Sequence, residues 1–583
     1  MKLSLTTLFP FLRWWPYSGT TARADFIAGL TVALVIVPQS MAYAQLAGLP
    51  PYYGLYAAFL PVMVASLWGS SNQLGTGPVA VASLLTASAL TPLAAPGSEQ
   101  FVALAILLAL LVGVVQLVLG VFKLGVIVNF LSHPVIVGFT NAAAMIIALS
   151  QVNKLIGVSM PRSEHFIQDI WGVARQIGDT HWPTLIMGTN AIAIMWAVRK
   201  YKPKWPGVLI AVGLTTVAAW ALGFEAQMGG KVVGKVPEGL PSVQMPALSA
   251  GDIRSLLQAA VVISLVGFME AISIAKAMAA KTKQRIDPNQ ELIGQGLANV
   301  VGSLTQAFPV SGSFSRSAVN LNAGAQTGMS AVFTGLFVLL TLLFLTPLLY
   351  HLPQAVLAAV IIMAVIGLIN FGAVRHAWQA SRHDGIASIV TFVATLAAAP
   401  HLDQGIRVGA GLALVLYLYR TMKPRVAILS RHPDGSLRDV AVHNLPTSDI
   451  VTAIRYDGEL YFANVSYFED AILEAVANNP KARALLIVGN GINAMDASGE
   501  EVMHHVVHRL RDNGVNVYFS GIKKQVVDVM RATGLLTLVG EENLYPTADL
   551  ALAAIYAKVG AGGTAPIAAD PLMPQRWGGS APR

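Results

Sequence analysis

The 583-residue sequence contains no cysteine and few charged residues. Without cysteine, the chain can form no disulfide, no thiolate metal site and no cysteine nucleophile. Only 12% of its residues are charged and 55% are hydrophobic, whereas soluble domains are roughly 25% charged. This balance excludes a protein that is soluble throughout, and it also excludes a disordered one. The net charge of +8 fits basic loops that orient a membrane protein, so no nucleic-acid partner is predicted.

Charged residues are sparse from about residue 24 to 422, and they return at soluble-domain frequency further on. Apolar runs within the sparse region approach the ~20 residues that span a bilayer as a helix. We therefore predict an α-helical, polytopic membrane protein with fourteen membrane segments. The predicted segments are 24–43, 50–68, 78–92, 100–121, 128–150, 183–199 and 206–223, then 254–275, 289–307, 315–327, 329–350, 354–371, 386–400 and 404–421.

Basic clusters follow segments 6, 8, 12 and 14, and with fourteen segments all of them fall on one side. The clusters lie at 199–204, 281–285, 375–382 and 420–425. The positive-inside rule makes that side cytoplasmic, with both termini inside, and predicts a multi-pass protein of the inner (plasma) membrane. Residues 1–23 contain several aromatics beside Arg13, which is typical of an interfacial segment. Seven segments per half predict an inverted repeat over about 24–223 and 253–422.

Two of the segments are short and follow helix-breaking residues at matching positions of the two halves. Segment 3 follows Gly-Thr-Gly-Pro at 75–78, and segment 10 follows Phe-Pro-Val-Ser-Gly at 308–312. Paired, interrupted segments of this kind are the best sequence indication of a substrate site, because two half-helices can direct their free N–H groups at one point. Helix N-termini attract anions. The alternative is two ordinary kinked helices.

Segment 10 opens with hydroxyls and a guanidinium, which suit a small oxyanion. These groups belong to Ser313, Ser315, Arg316 and Ser317. The serines could instead cap the helix or allow close packing, and the arginine could support the interior without touching substrate. Glu270 is a second intramembrane charge, either a proton carrier or one half of a fixed salt bridge to Arg316 or Lys276. No pattern in the sequence calls for a cofactor or a metal.

Four motifs make the chain resemble the sulfate permease (SulP) family, also called solute carrier family 26; they lie at 38–51, 53–56, 77–81 and 312–320. The resemblance implies a core domain (segments 1–4 and 8–11), a gate domain (segments 5–7 and 12–14), a homodimer and an elevator-like movement. It places the family's anion-site serine and arginine on Ser315 and Arg316, and a carboxyl position on Glu270. The predicted substrate site comprises Pro78, Val79, Ala80, Ser313, Phe314, Ser315 and Arg316.

Residues 440–558 alternate short apolar strands with helical stretches, which predicts a small cytoplasmic α/β domain. This region resembles the STAS domain of anti-sigma-factor antagonists, whose phosphorylated serine corresponds to Ser498. Ala497 departs from that family's motif, and a helix-capping turn is the alternative role for the loop. We expect residues 559–583 to form a disordered tail.

The sequence contains no Ser-His-Asp order, no Walker loop and no paired catalytic carboxylates, so we predict a transporter and not an enzyme. The resemblance favours proton-coupled sulfate symport, because Glu270 and Ile274 replace the Asp and Thr that sodium-dependent relatives tend to have. Bicarbonate, nitrate, chloride and C4-dicarboxylates stay open as substrates, and exchange, channel or sensor activity as alternatives. The expected partners are a small inorganic anion, protons, membrane lipid and a second copy of the chain.

Overall fold

The computed structural model describes residues 9–125, 132–160, 166–202, 205–237, 239–560 and 570–573. The chain divides into two compact units, Met1–Ala413 and Leu414–Arg583. The first unit is helical. Its α-helices, the last of which continues past Ala413, are α1 (Gly19–Leu46), α2 (Tyr52–Trp68), α3 (Ala80–Leu90), α4 (Glu99–Val121), α5 (His133–Ser150), α6 (Val152–Ile156), α7 (Phe166–Arg175), α8 (Trp182–Tyr201), α9 (Gly207–Ala221), α10 (Ala250–Thr282), α11 (Pro288–Leu304), α12 (Phe314–Asn322), α13 (Met329–Leu340), α14 (Gln354–Ile366), α15 (Phe371–Ala380), α16 (Arg382–Ala398) and α17 (Leu402–Met422).

Local sequence explains where many of these helices begin. Ser18 accepts a hydrogen bond from the Thr21 amide at the start of α1 (3.1 Å). At the start of α11, Asp287 accepts one from the Asn289 amide (2.9 Å), and the first residue of that helix is a proline. These side chains satisfy amide groups that have no acceptor within the helix. Long apolar runs then extend the helices.

Six helices among the described residues are long and apolar enough to cross a membrane. They are Gly19–Leu46, Glu99–Val121, His133–Ile156, Ala250–Thr282, Met329–Leu349 and Gln354–Ala380. A helix also overlaps each of the fourteen predicted segments. How many of them span the bilayer stays a prediction, and so does the inverted repeat of seven plus seven segments.

A pair of very short strands interrupts the helical unit. Strand β1 (Gly75–Gly77) pairs antiparallel with β2 (Ser311–Ser313), with Thr76 opposite Gly312. Helix α3 begins three residues after β1, and α12 begins directly after β2. The break before each short helix was predicted from Gly and Pro. The pairing of the two breaks was not predicted.

The second unit is an α/β domain with strands in the order β4-β3-β5-β6-β7-β8, of which β5 to β8 run parallel. Its elements are β3 (Arg425–Arg431), β4 (Leu437–Asp439), α18 (Val440–His443), β5 (Val451–Asp457), α19 (Val465–Ala477), β6 (Ala484–Val488), α20 (Ala497–Asp512), β7 (Asn516–Ser520), α21 (Lys524–Thr533), α22 (Leu535–Val539), β8 (Leu544–Tyr545) and α23 (Ala548–Gly560).

The central strand β6 is buried on both faces, because helices cover both sides of the sheet. Leu485 and Ile487 pack with the cluster that includes α19 to α22, whereas Leu486 and Val488 pack with the cluster that includes α23. Alternate residues of a strand point to opposite faces. A fully apolar strand is therefore what this position requires.

The expected disordered tail differs from the structure at residues 570–573. Leu572 is buried in the apolar cluster of α23, and Asp570 accepts hydrogen bonds from Tyr556 (2.5 Å) and Ser448 (2.7 Å). Burial, reinforced by the Asp570 carboxylate, raises the pKa of Tyr556. The four residues hold a defined position because one apolar side chain fills the cluster while the neighbouring carboxylate finds two donors.

Candidate functional site

The two short strands bring the starts of α3 and α12 to one cavity of about 470 Å³. Val79 and Ala80 line it at the start of α3, and Ser313, Phe314 and Ser315 line it at the start of α12. The first N–H groups of a helix have no acceptor within the helix, and they carry the positive end of its dipole. The cavity wall therefore combines two helix N-termini, which is an arrangement that attracts a small anion.

Arg316 lies behind this wall and is completely buried. Its Nη1 atom donates a hydrogen bond to the Pro78 carbonyl oxygen at 2.8 Å, whereas its Nε and Nη2 atoms have no hydrogen-bond partner within the described part of the chain. Neither Arg316 nor Pro78 is among the residues that line the cavity. The guanidinium thus joins the start of α12 to the chain just before α3, and it retains unused donors.

Two glycines allow this arginine to lie so close to β1. A Cβ atom on Gly75 would lie 2.9 Å from the Arg316 Cβ atom, and one on Gly77 would lie 3.3 Å from Nη2. Gly77 also has a φ of +141°, a backbone conformation that residues other than glycine rarely adopt. Close approach therefore requires glycine at both positions, and backbone conformation requires it at Gly77 as well.

The serines of the α12 start divide into two roles. Ser317 accepts a hydrogen bond from the Gly75 amide (2.8 Å) and donates one to the Ser313 carbonyl (2.7 Å), so it ties β1 to α12. Ser313 caps the helix by accepting from the Arg316 amide (3.5 Å), and its hydroxyl lies 3.3 Å from that of Ser315. Ser313 and Ser315 both line the cavity, and Ser315 is the more exposed of the two.

Glu270 of α10 also lines the cavity. It forms no ion pair with Arg316 or Lys276, all three residues being in the described part of the chain. Gln39 and Tyr43 of α1 line the same space, and the Gln39 side-chain oxygen has no hydrogen-bond partner among the described residues. These two residues were not predicted as site residues, although polar side chains within an otherwise apolar helix were a usable signal.

A buried carboxylate supports the region beyond α12. Asp25 accepts hydrogen bonds from the amides of Gln326 (2.7 Å) and Thr327 (3.1 Å), and from the hydroxyls of Thr327 (2.6 Å) and Tyr17 (3.1 Å). Burial and this carboxylate raise the pKa of Tyr17 to about 12. Asp25 therefore fixes the loop that follows α12 to the start of α1.

Ser498 belongs to the second unit, where it is the second residue of α20 and partly exposed. The preceding Asp496 accepts hydrogen bonds from the Gly499 amide (2.8 Å) and the Phe462 amide (3.0 Å). The loop thus contains a helix cap formed by Asp496. Across the described residues, no group of three or more His, Asp or Glu side chains is arranged to hold a metal ion.

Two family models match the chain. Residues 23–391 match the model of the sulfate permease family, and residues 443–551 match the model of the STAS domain. The chain belongs to the sulfate permease family. As a member, it is a multi-pass membrane anion transporter with a STAS domain and not an enzyme.

Several sulfate permease relatives align over nearly the whole chain. Sulfate transporter 4.1, chloroplastic, of Arabidopsis thaliana is 34% identical over 92% of this chain and 81% of its own length. High affinity sulfate transporter 1 of Stylosanthes hamata is 31% identical over 96% of this chain and 88% of its own. A probable sulfate transporter of Mycobacterium tuberculosis is 31% identical over 92% and 96%.

Two solved structures show a similar fold. Murine Solute Carrier 26 family member A9, described as an anion transporter in the inward-facing state, aligns with a TM-score of 0.87 at 22% identity, over 96% of this chain and 95% of its own. The transmembrane domain of a cyanobacterium bicarbonate transporter, BicA, aligns with a TM-score of 0.59 at 22% identity, over 68% and 97%. At this identity the likeness concerns the fold alone.

Proposed function

We propose that this sulfate permease is a secondary active transporter that takes up sulfate together with protons. One observation carries the proposal: a fully buried arginine with two unpartnered nitrogens lies behind a cavity wall made of two helix N-termini. A buried charged group that leaves some of its donors unpaired is costly. An anion in the cavity would offset that cost, because the dipoles and the guanidinium all favour negative charge at the same place. The proposed substrate residues are Pro78, Val79, Ala80, Ser313, Phe314, Ser315 and Arg316.

Sulfate is the proposed substrate because of the donors and the relatives. Ser313 and Ser315 offer hydroxyls, and the helix starts offer amide groups, which are the donors that a small tetrahedral oxyanion accepts. The full-length relatives are named as sulfate transporters. Bicarbonate, nitrate, chloride and C4-dicarboxylates are the competing anions, and anion exchange or a channel is the competing mode.

Glu270 is the proposed proton site. It lines the anion cavity and has no ion-pair partner in Arg316 or Lys276, within the region described, which favours a carrier over a fixed salt bridge. Moving negative charge inward against a negative-inside potential costs about 2.3 kcal/mol per charge per 100 mV. Protons that enter with the anion remove this opposition.

For the architecture, we propose fourteen spans in two inverted repeats and a homodimer with both termini in the cytoplasm, located in the plasma membrane. The proposed elevator-like movement carries the core domain past the gate domain. In support, the cavity is lined by both proposed domains: Val79 and Ser315 come from the core, whereas Met195 and Val360 come from the gate. Arg199, from a basic cluster, also lines it, so the cavity opens to the proposed cytoplasmic side.

Regulation through the STAS domain is part of the proposal. Ser498 lies in the first turn of α20, where a phosphate would be favoured by the helix dipole. The capping bonds of Asp496 support the alternative, in which the loop only starts the helix.

The decisive test is uptake of radiolabelled sulfate into proteoliposomes of the purified full-length protein. We expect uptake to exceed that of empty liposomes, to accelerate when the outside is made more acidic than the lumen, and to be inhibited most strongly by unlabelled sulfate. If bicarbonate, nitrate or a C4-dicarboxylate inhibits uptake more strongly than sulfate does, that anion becomes the assigned substrate in place of sulfate. Uptake that ignores the pH gradient would remove proton coupling.

A further inference from the structure

One face of α11 has three buried polar side chains, spaced four residues apart. Glu291, Gln295 and Asn299 are each 1% exposed. Residues four apart lie above one another on the same side of a helix. Each of the three forms hydrogen bonds to a different part of the chain around the paired strands β1 and β2, which we call the crossing.

Asn299 holds the residue just before β2. Its Oδ1 atom accepts from the Val310 amide at 2.8 Å, and its Nδ2 atom donates to the Val310 carbonyl at 3.1 Å. The side-chain amide therefore satisfies both backbone groups of one residue, as a neighbouring strand would. Nδ2 also donates to Gln116 Oε1 of α4 at 3.1 Å, which fixes the rotamer of Asn299.

The other two residues hold β1 and the loop before it. Gln295 Nε2 donates to the Thr76 hydroxyl at 2.8 Å. The Glu291 carboxylate accepts from the amides of Ser70 (2.9 Å) and Ser71 (3.1 Å). One helix thus fixes both strands against a single rigid element, although the strands are more than 230 residues apart in the chain.

We propose that Gln295 and Asn299 are positioning residues that set the anion affinity of the cavity without touching the anion. The inference rests on the proposed function, because it concerns the same site. Neither residue lines the cavity. Binding by helix N-termini depends on donors held within about 0.5 Å of their working positions. Helix α12 begins directly after β2, and α3 begins three residues after β1, so a loosened strand displaces those donors.

The chain provides a matched control in Asn141 of α5. Its Oδ1 accepts from the Asn370 amide at 2.6 Å and its Nδ2 donates to the Asn370 carbonyl at 3.3 Å, so the bond pattern is the same as that of Asn299. Asn141 is equally buried, and neither it nor Asn370 lines the anion cavity. Replacing either asparagine removes the same kind of contact, but only the replacement of Asn299 affects the crossing.

The experiment compares Asn299→Leu, Gln295→Met and Asn141→Leu in the full-length protein, with sulfate as the probe. We expect Asn299→Leu to raise the sulfate Kd at least about tenfold, since two backbone hydrogen bonds are lost, and Gln295→Met to raise it about threefold or more. Asn141→Leu should lower thermal stability and leave the Kd unchanged. Thr76→Val should reproduce the Gln295→Met effect, and the double variant should add nothing further.

Hydrogen–deuterium exchange without any anion separates this inference from the proposed function. The Val310 amide should exchange faster in Asn299→Leu than in the wild type, whereas Asn141→Leu should accelerate only the Asn370 region. If the wild-type protein binds no sulfate, the proposed substrate is refuted. The hydrogen–deuterium exchange rate of the Val310 amide would still decide whether Asn299 positions β2. Unchanged exchange at Val310, or a wild-type Kd in folded Asn299→Leu or Gln295→Met, would overturn the inference.

Discussion

Arg316 could be predicted as a residue of the site but not in its contacts. An arginine at the start of an apolar segment, beside three serines, indicates a function because a charge within a membrane is expensive. Its partner, the carbonyl of Pro78, lies 238 residues away in sequence and could not be inferred from local pattern. For the same reason, the sequence left open whether Glu270 pairs with Arg316. In the structure, Glu270 lines the cavity and Arg316 lies behind its wall, and the two form no ion pair within the described residues.

Replacement of Arg316 tests its charge. Arg316→Ala should raise the sulfate Kd by about thirtyfold, because a charged hydrogen-bond donor contributes about 2 kcal/mol. Arg316→Lys should restore binding only in part, since a point charge replaces a planar fork. Equilibrium binding of labelled sulfate to purified, folded protein measures both variants. Wild-type affinity in Arg316→Ala would show that the anion binds elsewhere.

Replacement of Glu270 tests proton coupling. Glu270→Gln mimics the protonated carboxyl, so it should preserve folding and sulfate-for-sulfate exchange while abolishing acceleration by an inward pH gradient. Glu270→Asp should retain part of the acceleration. Proteoliposome uptake with and without the gradient distinguishes these results. If Glu270→Gln still concentrates sulfate in response to the gradient alone, another residue carries the proton.

At the scale of elements, helix breaks were predictable and their pairing was not. Gly and Pro before α3 and α12 exclude a continuous helix, so two short helices follow from local chemistry. A strand of three residues is too short to show the alternation of apolar and polar residues that predicts a strand. The register of such strands depends on contacts between distant segments. The polar face of α11 was missed for a related reason. Its residues i, i+4 and i+8 indicate one face, but not what that face holds.

Gly75 offers a test of the strand crossing. Gly75→Ala would place a Cβ atom 2.9 Å from the Arg316 Cβ atom and 3.2 Å from the Ser317 amide nitrogen. Overpacking of this kind costs about 1–3 kcal/mol, so we expect a lower melting temperature and weaker sulfate binding. The control is Gly213→Ala on α9, where a Cβ atom meets nothing within 4 Å. That variant should be neutral or slightly stabilising, and equal effects of the two variants would contradict the crossing's role.

At the scale of the whole molecule, composition was the most informative feature. The return of charge after residue 422 indicated a separate soluble domain, and the alternation of strands with helical stretches over 440–558 predicted its α/β class. The structure has a second compact unit from Leu414 onward, and residues 443–551 match the STAS model. The docking of residues 570–573 could not be predicted, because Gly, Pro and Ala dominate the sequence around a single buried leucine. Composition also does not determine the number of spans, because several helices are shorter than a bilayer requires.

Removal of the STAS domain tests how the two units share function. Truncation after about residue 425 should leave a folded membrane unit that binds sulfate with unchanged affinity, because every cavity-lining residue lies before that point. Uptake should persist at a reduced rate. The Ser498→Ala and Ser498→Glu variants of the full-length protein should change the rate without changing the Kd. Loss of sulfate binding in a folded, truncated protein would assign the STAS domain a direct part in the site.

The absence of cysteine permits the most direct test of the anion site. Ala318→Cys places one thiol on the cavity wall beside the α12 start, and Ser255→Cys places one in a separate cavity. If sulfate binds at the crossing, it should slow maleimide labelling at residue 318, with half-protection at the sulfate Kd, and leave labelling at residue 255 unchanged. Labelling at residue 318 that saturating sulfate does not slow, or equal protection at both positions, would contradict the account.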